Sequence, residues 1–396
     1  MSGPLSGIVI VDVTNFVFGP VATQILADMG ADVIKIEPPE GDPARDIGRR
    51  RSDGMGSFFL NLNRNKRSVV LDLKRPEARE AMMRLLETAD VLVHNMRESA
   101  VQKLGLGYGE LSKRFPRLVH ASAKGFSDAG PYAHKPAYDD VIQGLSAITG
   151  MNARANGSPG YAPMLLTDKL CGVYLSSAIS MALVHRERSG KGQAVSVPMF
   201  ETMASFNLLE HMADAVLAPT LDEPESPIGY ARVFGEHHRP FATSDGHLCL
   251  IANTNGQWQR LFDVLGCPEL AKDSRFATIG VRMANVTALY SIVAEKLLHR
   301  TTAEWLELLS QADIPAGPAN SLDDLRRDPH LQQQGFFQTI AHPTEGELLM
   351  SAVPFGFSQT PGAIRRGPPL LGEHTVEVLS ALGYSESEIT QIKGTQ

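Results

Sequence analysis

"GIVIVDVTNFVFGPVATQILADMGADVIKIE", residues 7–37, decides the fold. Residues 7–13 form a short β-branched run, residues 19–30 carry apolar side chains at helical spacing as far as Gly30, and "ADVIKIE" (31–37) is strand-like again. Strand, helix and strand in close succession make a βαβ unit, whose two strands lie parallel in one sheet. The alternation continues outward. "RSVVLDL" (67–73) precedes a helix with Pro76 in its first turn, and "VLVHN" (91–95) and "RLVHASAKGF" (117–126) repeat the strand signal. Strands separated by helices predict an α/β fold with a parallel sheet covered on both faces.

At 396 residues the chain is long for one core, so two domains are expected. Around 214–240 the composition turns Pro-rich and polar, which marks a linker. A second unit then opens with a hairpin-like pair of short strands in "FATSDGHLCLIANTNGQWQRLFDVLG" and continues through helices near 281–299 and 302–312. Hydrophobic residues make up 43% and charged residues 20%, a globular composition. With 37 basic against 44 acidic residues the net charge is -7, so no global positive field attracts nucleic acid or an anionic membrane. The N-terminal stretch has neither a basic n-region nor a long apolar run, and no other run is long enough to span a bilayer, so no membrane partner is expected. Cys171, Cys249 and Cys267 are too few and too scattered for a disulfide framework or a tetrahedral metal site, and a reducing cytoplasm is the expected compartment.

The first βα turn, "DVTNFVFGP", contains only Gly19 where a dinucleotide fingerprint needs three glycines, which argues against an ordinary NAD site. An anion could still use the helix N-terminus near Pro20. Basic residues gather after strands, in "LNRNKRS" (62–68), at Lys74, in "HNMRESAVQKLG" (94–105) and at Lys135. Taken singly these are solvated surface charges, but together at strand ends they suit a phosphate, with Arg97 as a bidentate partner and Lys103 as a point charge. Adjacent histidines in "EHHRP" (236–240) lack a spaced thiol or carboxylate, so no metal is expected. No G-x-S-x-G elbow is present, and Cys171 lies in an apolar helix where an inert thiol is the common case. Asp168, in "LLTDKLCG" (165–172), has two readings. With Thr167 before it, it suits a helix cap; as an ionised carboxylate, it could also attack a thioester carbonyl.

Seven blocks decide between them: "LSGIVIVDVTNFVFGPVATQILADMGADVIKIEPPEGD", "NLNRNKRSVVLDLK", "HNMRESAVQKLGLGY", "GPYAHKPAYDDVIQGLSAITG", "LLTDKLCG", "DIPAGPANSLDDLRRDPHL" and "PPLLGEHTVEVLSALGY". Their content and order resemble the family III coenzyme A transferases, also called the CaiB/BaiF family, essentially end to end. The resemblance implies a Rossmann-like large domain (1–212 with 330–396) with a parallel sheet, a smaller α+β domain with its linker (213–329), and an interlocked homodimer. It implies that Asp168 is the nucleophile, forming first an aspartyl-acyl anhydride and then an aspartyl-CoA thioester. It places CoA contacts at Val17 and Phe18, at Leu71, Asp72, Leu73 and Lys74, at Asn95, Met96 and Arg97, at Lys103, and at Lys135, Pro136, Ala137 and Tyr138. Coenzyme A is then a substrate, and no cofactor is permanently bound. The implied partners are an acyl-CoA, such as succinyl-CoA or another short-chain thioester, and a free acid, such as a short dicarboxylate.

Formyl-CoA:oxalate transferases carry glutamine where this chain has Val17, arginine where it has Pro38, and a tetraglycine loop where it has "PIGYARVFG", which argues against oxalate as acceptor. Arg45, Arg49, Arg232, His237, His238 and Arg239 are available for a longer dicarboxylate, and Asn253, Asn255 and Gln257 for the acyl pocket. The α-methylacyl-CoA racemases of the same fold carry a His-Asp pair in the segment matching "AYDDVIQ", whereas here Tyr138 precedes Asp139. A non-catalytic CoA-binding protein is expected to lack the aspartate found at 168.

Overall fold

The computed structural model describes residues 3–217 and 226–393, so part of the expected linker, 218–225, lies outside the described residues. The chain divides into two compact units, one of Met1–Thr149, Gly160–Leu209 and Gln332–Gln396, the other of Gly150–Pro159 and Glu210–Leu331. The stretch 150–159 therefore joins the second unit although it lies deep within the sequence of the first.

The first unit is built on six strands: β1 (Val9–Val13), β2 (Asp32–Glu37), β3 (Lys66–Val70), β4 (Val91–His94), β5 (Val119–Lys124) and β6 (Ala194–Pro198). Their spatial order is β3-β2-β1-β4-β5-β6, and every neighbouring pair is parallel. The fold is thus α/β with a doubly wound sheet. Its winding reverses between β1 and β4, where such sheets open a crevice at the strand carboxyl ends. β1 is central, with Val11 opposite Ile34 on one side and Leu92 on the other. A strand covered on both faces must be apolar nearly throughout, which is why "VIVDV" reads as a continuous run.

Helix α1 (Phe18–Asp28) follows β1, and α2 (Pro76–Thr88) follows β3. Pro76 sits at the start of α2, where its missing N–H has no helical partner to lose. One face of α2 buries Ala78, Ala81, Met82, Leu85 and Leu86, each of the larger side chains stabilising the fold by roughly 1.5–3 kcal/mol. Val378, Leu379, Ile389 and Ile392, from two C-terminal helices, complete the same core. The far end of the sequence thereby closes the layer that its beginning opens.

Strand β6 has no clear sequence signal, because "AVSVP" is a short edge strand whose side chains are mostly half-buried or exposed. The expected strand over 67–73 ends at Val70; the Leu71 N–H still donates to Glu37 O at 2.9 Å, and the chain then turns.

In the second unit, β7 (Phe241–Ala242), β8 (His247–Leu250) and β9 (Ala316–Pro318) form an antiparallel sheet. Its core includes Trp258 and Phe262 of α5 (Asn255–Val264), Leu289 and Val293 of α6 (Val286–Leu297), and Trp305 of α7 (Thr302–Gln311). The helix expected near 281–299 is interrupted at Asn285, whose side-chain amide donates to Val281 O at 2.9 Å and ends the preceding turn.

Candidate active site

The loops after β1, β3, β4 and β5 leave the same edge of the sheet, and they carry the expected contact residues. After β1 the chain makes a tight turn in which Phe16 takes a left-handed backbone (φ 65°). The Phe16 N–H donates to Asp42 Oδ1 at 3.2 Å, and the Asn15 N–H donates to Asn95 Oδ1, also at 3.2 Å. Asn95 Nδ2 returns a bond to Asn15 O at 3.0 Å, so the loops on either side of the winding reversal are clasped together. Gly19 permits this turn, because a Cβ there would lie 2.3 Å from Thr14 Cβ. Val17 and Phe18 are buried, so this turn can offer a ligand the first backbone N–H groups of α1 rather than those side chains.

Beneath the turn lies a wholly buried ionic layer. Lys66 Nζ meets Asp12 Oδ2 at 3.1 Å, Lys35 Nζ meets Asp42 Oδ2 at 2.9 Å, and Arg45 forks onto Glu37 with two bonds of 2.7 Å. Burial pushes the Asp12 carboxyl up, but Lys66, Lys35 and the Thr14 and Thr23 hydroxyls overcome it and leave the group at about 2. Burial pushes the Lys66 ammonium down to about 8 against the attraction of Asp12. These pairs fix the strand ends that carry the turn.

The layer corrects two expectations. Arg45 is not available to a dicarboxylate, since its guanidinium is engaged by Glu37 and stacks 3.6 Å from the centre of the Phe59 ring. Likewise, the basic residues of 62–68 are engaged within the protein: Arg64 and Lys66 are buried and pair with Asp28 and Asp12, and the half-buried Arg67 pairs with Asp32 and Glu377. By contrast Lys74, Arg97, Lys103 and Lys135 are exposed. Leu71 is buried, while Asp72, Leu73, Asn95, Met96 and Ala137 are half-buried and Pro136 is exposed. Lys103 borders a surface cavity of about 460 Å³ together with Arg79, Gln102 and Glu110. Lys135 Nζ lies 4.0 Å above the Tyr132 ring, and the exposed Tyr138 meets Phe16 edge-on with ring centres 6.5 Å apart.

Asp168 stands in the first turn of α4 (Leu166–Ser189). This helix approaches α1 closely at Gly172, where a Cβ would lie 2.7 Å from Val21 Cγ1 and 3.0 Å from Phe18 O. Asp168 lies one turn earlier on the same face of this helix. The capping expectation is corrected here: the N-cap residue is Leu165, and no side chain of α4 caps its own N-terminus. The donors go instead to Asp139, the first residue of α3 (Asp139–Leu145). Asp139 Oδ1 accepts the Thr167 N–H at 2.8 Å, the Asp168 N–H at 3.0 Å and the Thr167 hydroxyl at 2.8 Å. Gln143, one turn along α3, donates to Asp139 Oδ2 at 2.5 Å and to Met164 O at 3.2 Å, and accepts the Ala162 N–H at 2.8 Å.

The carboxylate of Asp168 has no hydrogen-bond partner among the described residues. Burial and the Asp139 charge raise its carboxyl from 3.8 to about 7. Such a group is a basic carboxylate, with the nucleophilicity that strong hydrogen bonding would remove. Sequence reasoning passed over Asp139 and Gln143 as a pair; their spacing of four along "DDVIQ" is the one local sign that they share a helix face. Cys171, on the same helix, is buried and its thiol is pushed up to about 12 by burial, Asp168 and Asp139, which leaves it inert.

Within the second unit, Arg232, His237, His238 and Arg239 line one cavity of about 370 Å³ with Ile251 and Tyr290. Gln257 and Asn255 are occupied locally, Gln257 in a capping box with Thr254 and Asn255 by the Arg282 guanidinium. Among the described residues no group of three or more His, Cys, Asp or Glu side chains is placed to hold a metal ion, and no helix is long and apolar enough to cross a membrane.

A doubly wound sheet with clasped loops at its winding reversal and an unpaired, basic carboxylate beside them defines an enzyme site at the strand carboxyl ends. The sequence profile of CoA-transferase family III matches residues 5–375, and the chain belongs to that family. It is 34% identical to a succinate–glutarate CoA-transferase of Agrobacterium fabrum over 395 residues, covering 98% of each chain. It is 30% identical to the succinyl-CoA:glutarate CoA-transferase of Mus musculus, covering 98% of this chain and 89% of that one. A crystal structure of a CaiB/BaiF family protein from Brucella suis superposes with a TM-score of 0.80 at 32% identity, over 96% of this chain and 100% of the other. The protein is a CoA-transferase that moves coenzyme A from an acyl-CoA to a carboxylic acid.

Proposed function

We propose that the protein exchanges coenzyme A between succinyl-CoA and a short dicarboxylic acid of glutarate size, with Asp168 as the covalent nucleophile. The observation that carries this reading is the Asp168 carboxylate, half-buried at a helix start and without a hydrogen-bond partner among the described residues, while Asp139 takes the helix donors. The names of the Agrobacterium and mouse relatives support the choice of acids. An Asp168 oxygen attacks the thioester carbonyl, the C–S bond breaks, and CoA leaves as thiolate with an aspartyl-acyl anhydride behind it. The thiolate attacks the aspartyl carbonyl of that anhydride, releasing the donor acid and leaving an aspartyl-CoA thioester. The acceptor carboxylate then attacks the aspartyl carbonyl of that thioester, the C–S bond breaks and CoA leaves again as thiolate from a second anhydride, whose acceptor acyl carbon the thiolate attacks, giving the new acyl-CoA and the free Asp168 carboxylate. A partly dehydrated site favours each step over hydrolysis.

CoA binding in this reading draws on the α1 N-terminus at Val17 and Phe18, on Leu71–Lys74, Asn95–Arg97, Lys103 and Lys135–Tyr138, with no permanently bound cofactor. The exposed Lys74, Arg97, Lys103 and Lys135 suit an anionic ligand. The α-proton transfer of a racemase is disfavoured, because Asp139 is buried and fully hydrogen-bonded and the residue before it is Tyr138. We also place in this proposal a large domain of 1–212 with 330–396, a smaller domain of 213–329, an interlocked homodimer and a cytoplasmic location. Exposed apolar side chains on α4, Val173, Met181 and Val184, favour a partner chain over that face, and free cysteines suit a reducing compartment. The test is trapping: hydroxylamine added during turnover converts Asp168 to its hydroxamate, read by peptide mass spectrometry, and Asp168→Ala abolishes exchange. An unmodified Asp168 peptide, or wash-in of solvent deuterium next to the thioester without CoA exchange, overturns the proposal.

A further inference from the structure

We infer that Asp139 and Gln143 form a clasp that positions and tunes the nucleophile, with Asp139 taking over the capping of α4 so that the Asp168 carboxylate stays unbonded and basic. The inference rests on the nucleophilic role proposed for Asp168. Its geometry is a chain of short contacts. Asp139 Oδ1 holds the backbone N–H groups of Thr167 and Asp168, so the nucleophile is fixed through its own main chain while its side chain is left to react. Gln143 secures the other oxygen of Asp139 and also binds both Ala162 and Met164, which anchors the loop entering α4 to α3. Asp139 directly follows Tyr138, the last residue of the 135–138 stretch, so the clasp sets the distance between that stretch and the attacking oxygen.

Helix N-termini stabilise negative charge and their N–H groups bond carboxylates, so an aspartate in the first turn would ordinarily become a weaker base. A second carboxylate that occupies those donors removes this stabilisation and adds its own repulsion. Burial and Asp139 are the influences acting on Asp168. Lys169 beside it is exposed, Asp140 on α3 is exposed, and Lys124 on β5 is paired with Asp128 and Glu98; α1 presents no charged side chain in its first turn.

The experiment is the pH dependence of CoA exchange at saturating acyl-CoA for wild type, Asp139→Asn, Gln143→Met and Asp140→Asn, with hydroxylamine trapping of Asp168 run in parallel. Asp139→Asn keeps an oxygen for the helix donors and removes the charge, so the midpoint of the rising limb moves to lower pH by about one unit and the plateau rate falls about ten-fold, with KM for acyl-CoA within about two-fold. Gln143→Met loosens the clasp but keeps the charge, so kcat falls about ten-fold with the midpoint in place. Asp140→Asn, on the same turn but outside the clasp, behaves as wild type. A wild-type midpoint and rate in both Asp139→Asn and Gln143→Met, with Asp168 still trapped, overturns the clasp; failure to trap Asp168 in the wild type overturns the nucleophile beneath it. Should Asp139→Asn not fold, Gln143→Met alone decides, since unchanged turnover refutes any positioning role.

Discussion

Replacing Asp168 with asparagine should stabilise the protein while destroying its activity. In the unfolded chain this carboxyl ionises near 3.8, whereas in the folded protein burial and Asp139 hold the proton until about pH 7. Between those values unfolding releases a proton, so rising pH favours the unfolded state and native stability drains away as pH climbs from 4 to 7; above 7 the deficit is constant. A displacement from 3.8 to about 7 is equivalent to at most about 4 kcal/mol. Solvent reaching the half-buried side chain screens this to about 2 kcal/mol. The asparagine side chain is nearly isosteric with aspartate, bears no titrating group and leaves the Asp139 cap untouched. Urea unfolding of wild type and Asp168→Asn at pH 8 and at pH 4 measures the difference. The variant should be more stable by about 2 kcal/mol at pH 8 and level with the wild type at pH 4. Equal midpoints at pH 8, or a gap that persists at pH 4, would refute the argument that the protein strains to keep this carboxylate.

Two further substitutions probe the frame. Gly172→Val sets a Cβ 2.7 Å from Val21 Cγ1, so α4 must move off α1; stability falls by about 1–3 kcal/mol, and because Asp168 lies one turn away, kcat/KM falls about 100-fold in a CoA-exchange assay. Lys66→Met leaves the buried Asp12 carboxylate without its nearest cation and costs about 3–5 kcal/mol by urea titration, whereas a lost ligand contact would raise KM for acyl-CoA at unchanged stability.

The parallel sheet was legible because its signal is local: β1, α1 and β2 each carry their own periodicity within residues 7–37, and the reading needs no knowledge of what packs against them. Charge is different, since a basic residue does not reveal its partner. Arg45 finds Glu37 only eight residues away, but Lys66 reaches Asp12 across 54 residues through the register of β1, β2 and β3, and both read in sequence as candidates for a ligand. Asp168 was visible as an oddly placed carboxylate, with capping and catalysis both open. What separates the two is Asp139, 29 residues earlier on another helix, and no local pattern around 168 encodes that contact.

The two aspartates resolve a conflict between architecture and chemistry. A helix start needs a hydrogen-bond acceptor, and a nucleophile needs to avoid being one. Had Asp168 served both ends, its bonds to the N–H groups would have lowered its basicity and turned its oxygens toward its own backbone. Dividing the work leaves Asp139 buried with every contact filled and Asp168 charged against its surroundings. The cost in stability and the gain in reactivity then have one origin, a carboxylate held in burial beside the Asp139 charge, so any change that relieves the first must diminish the second.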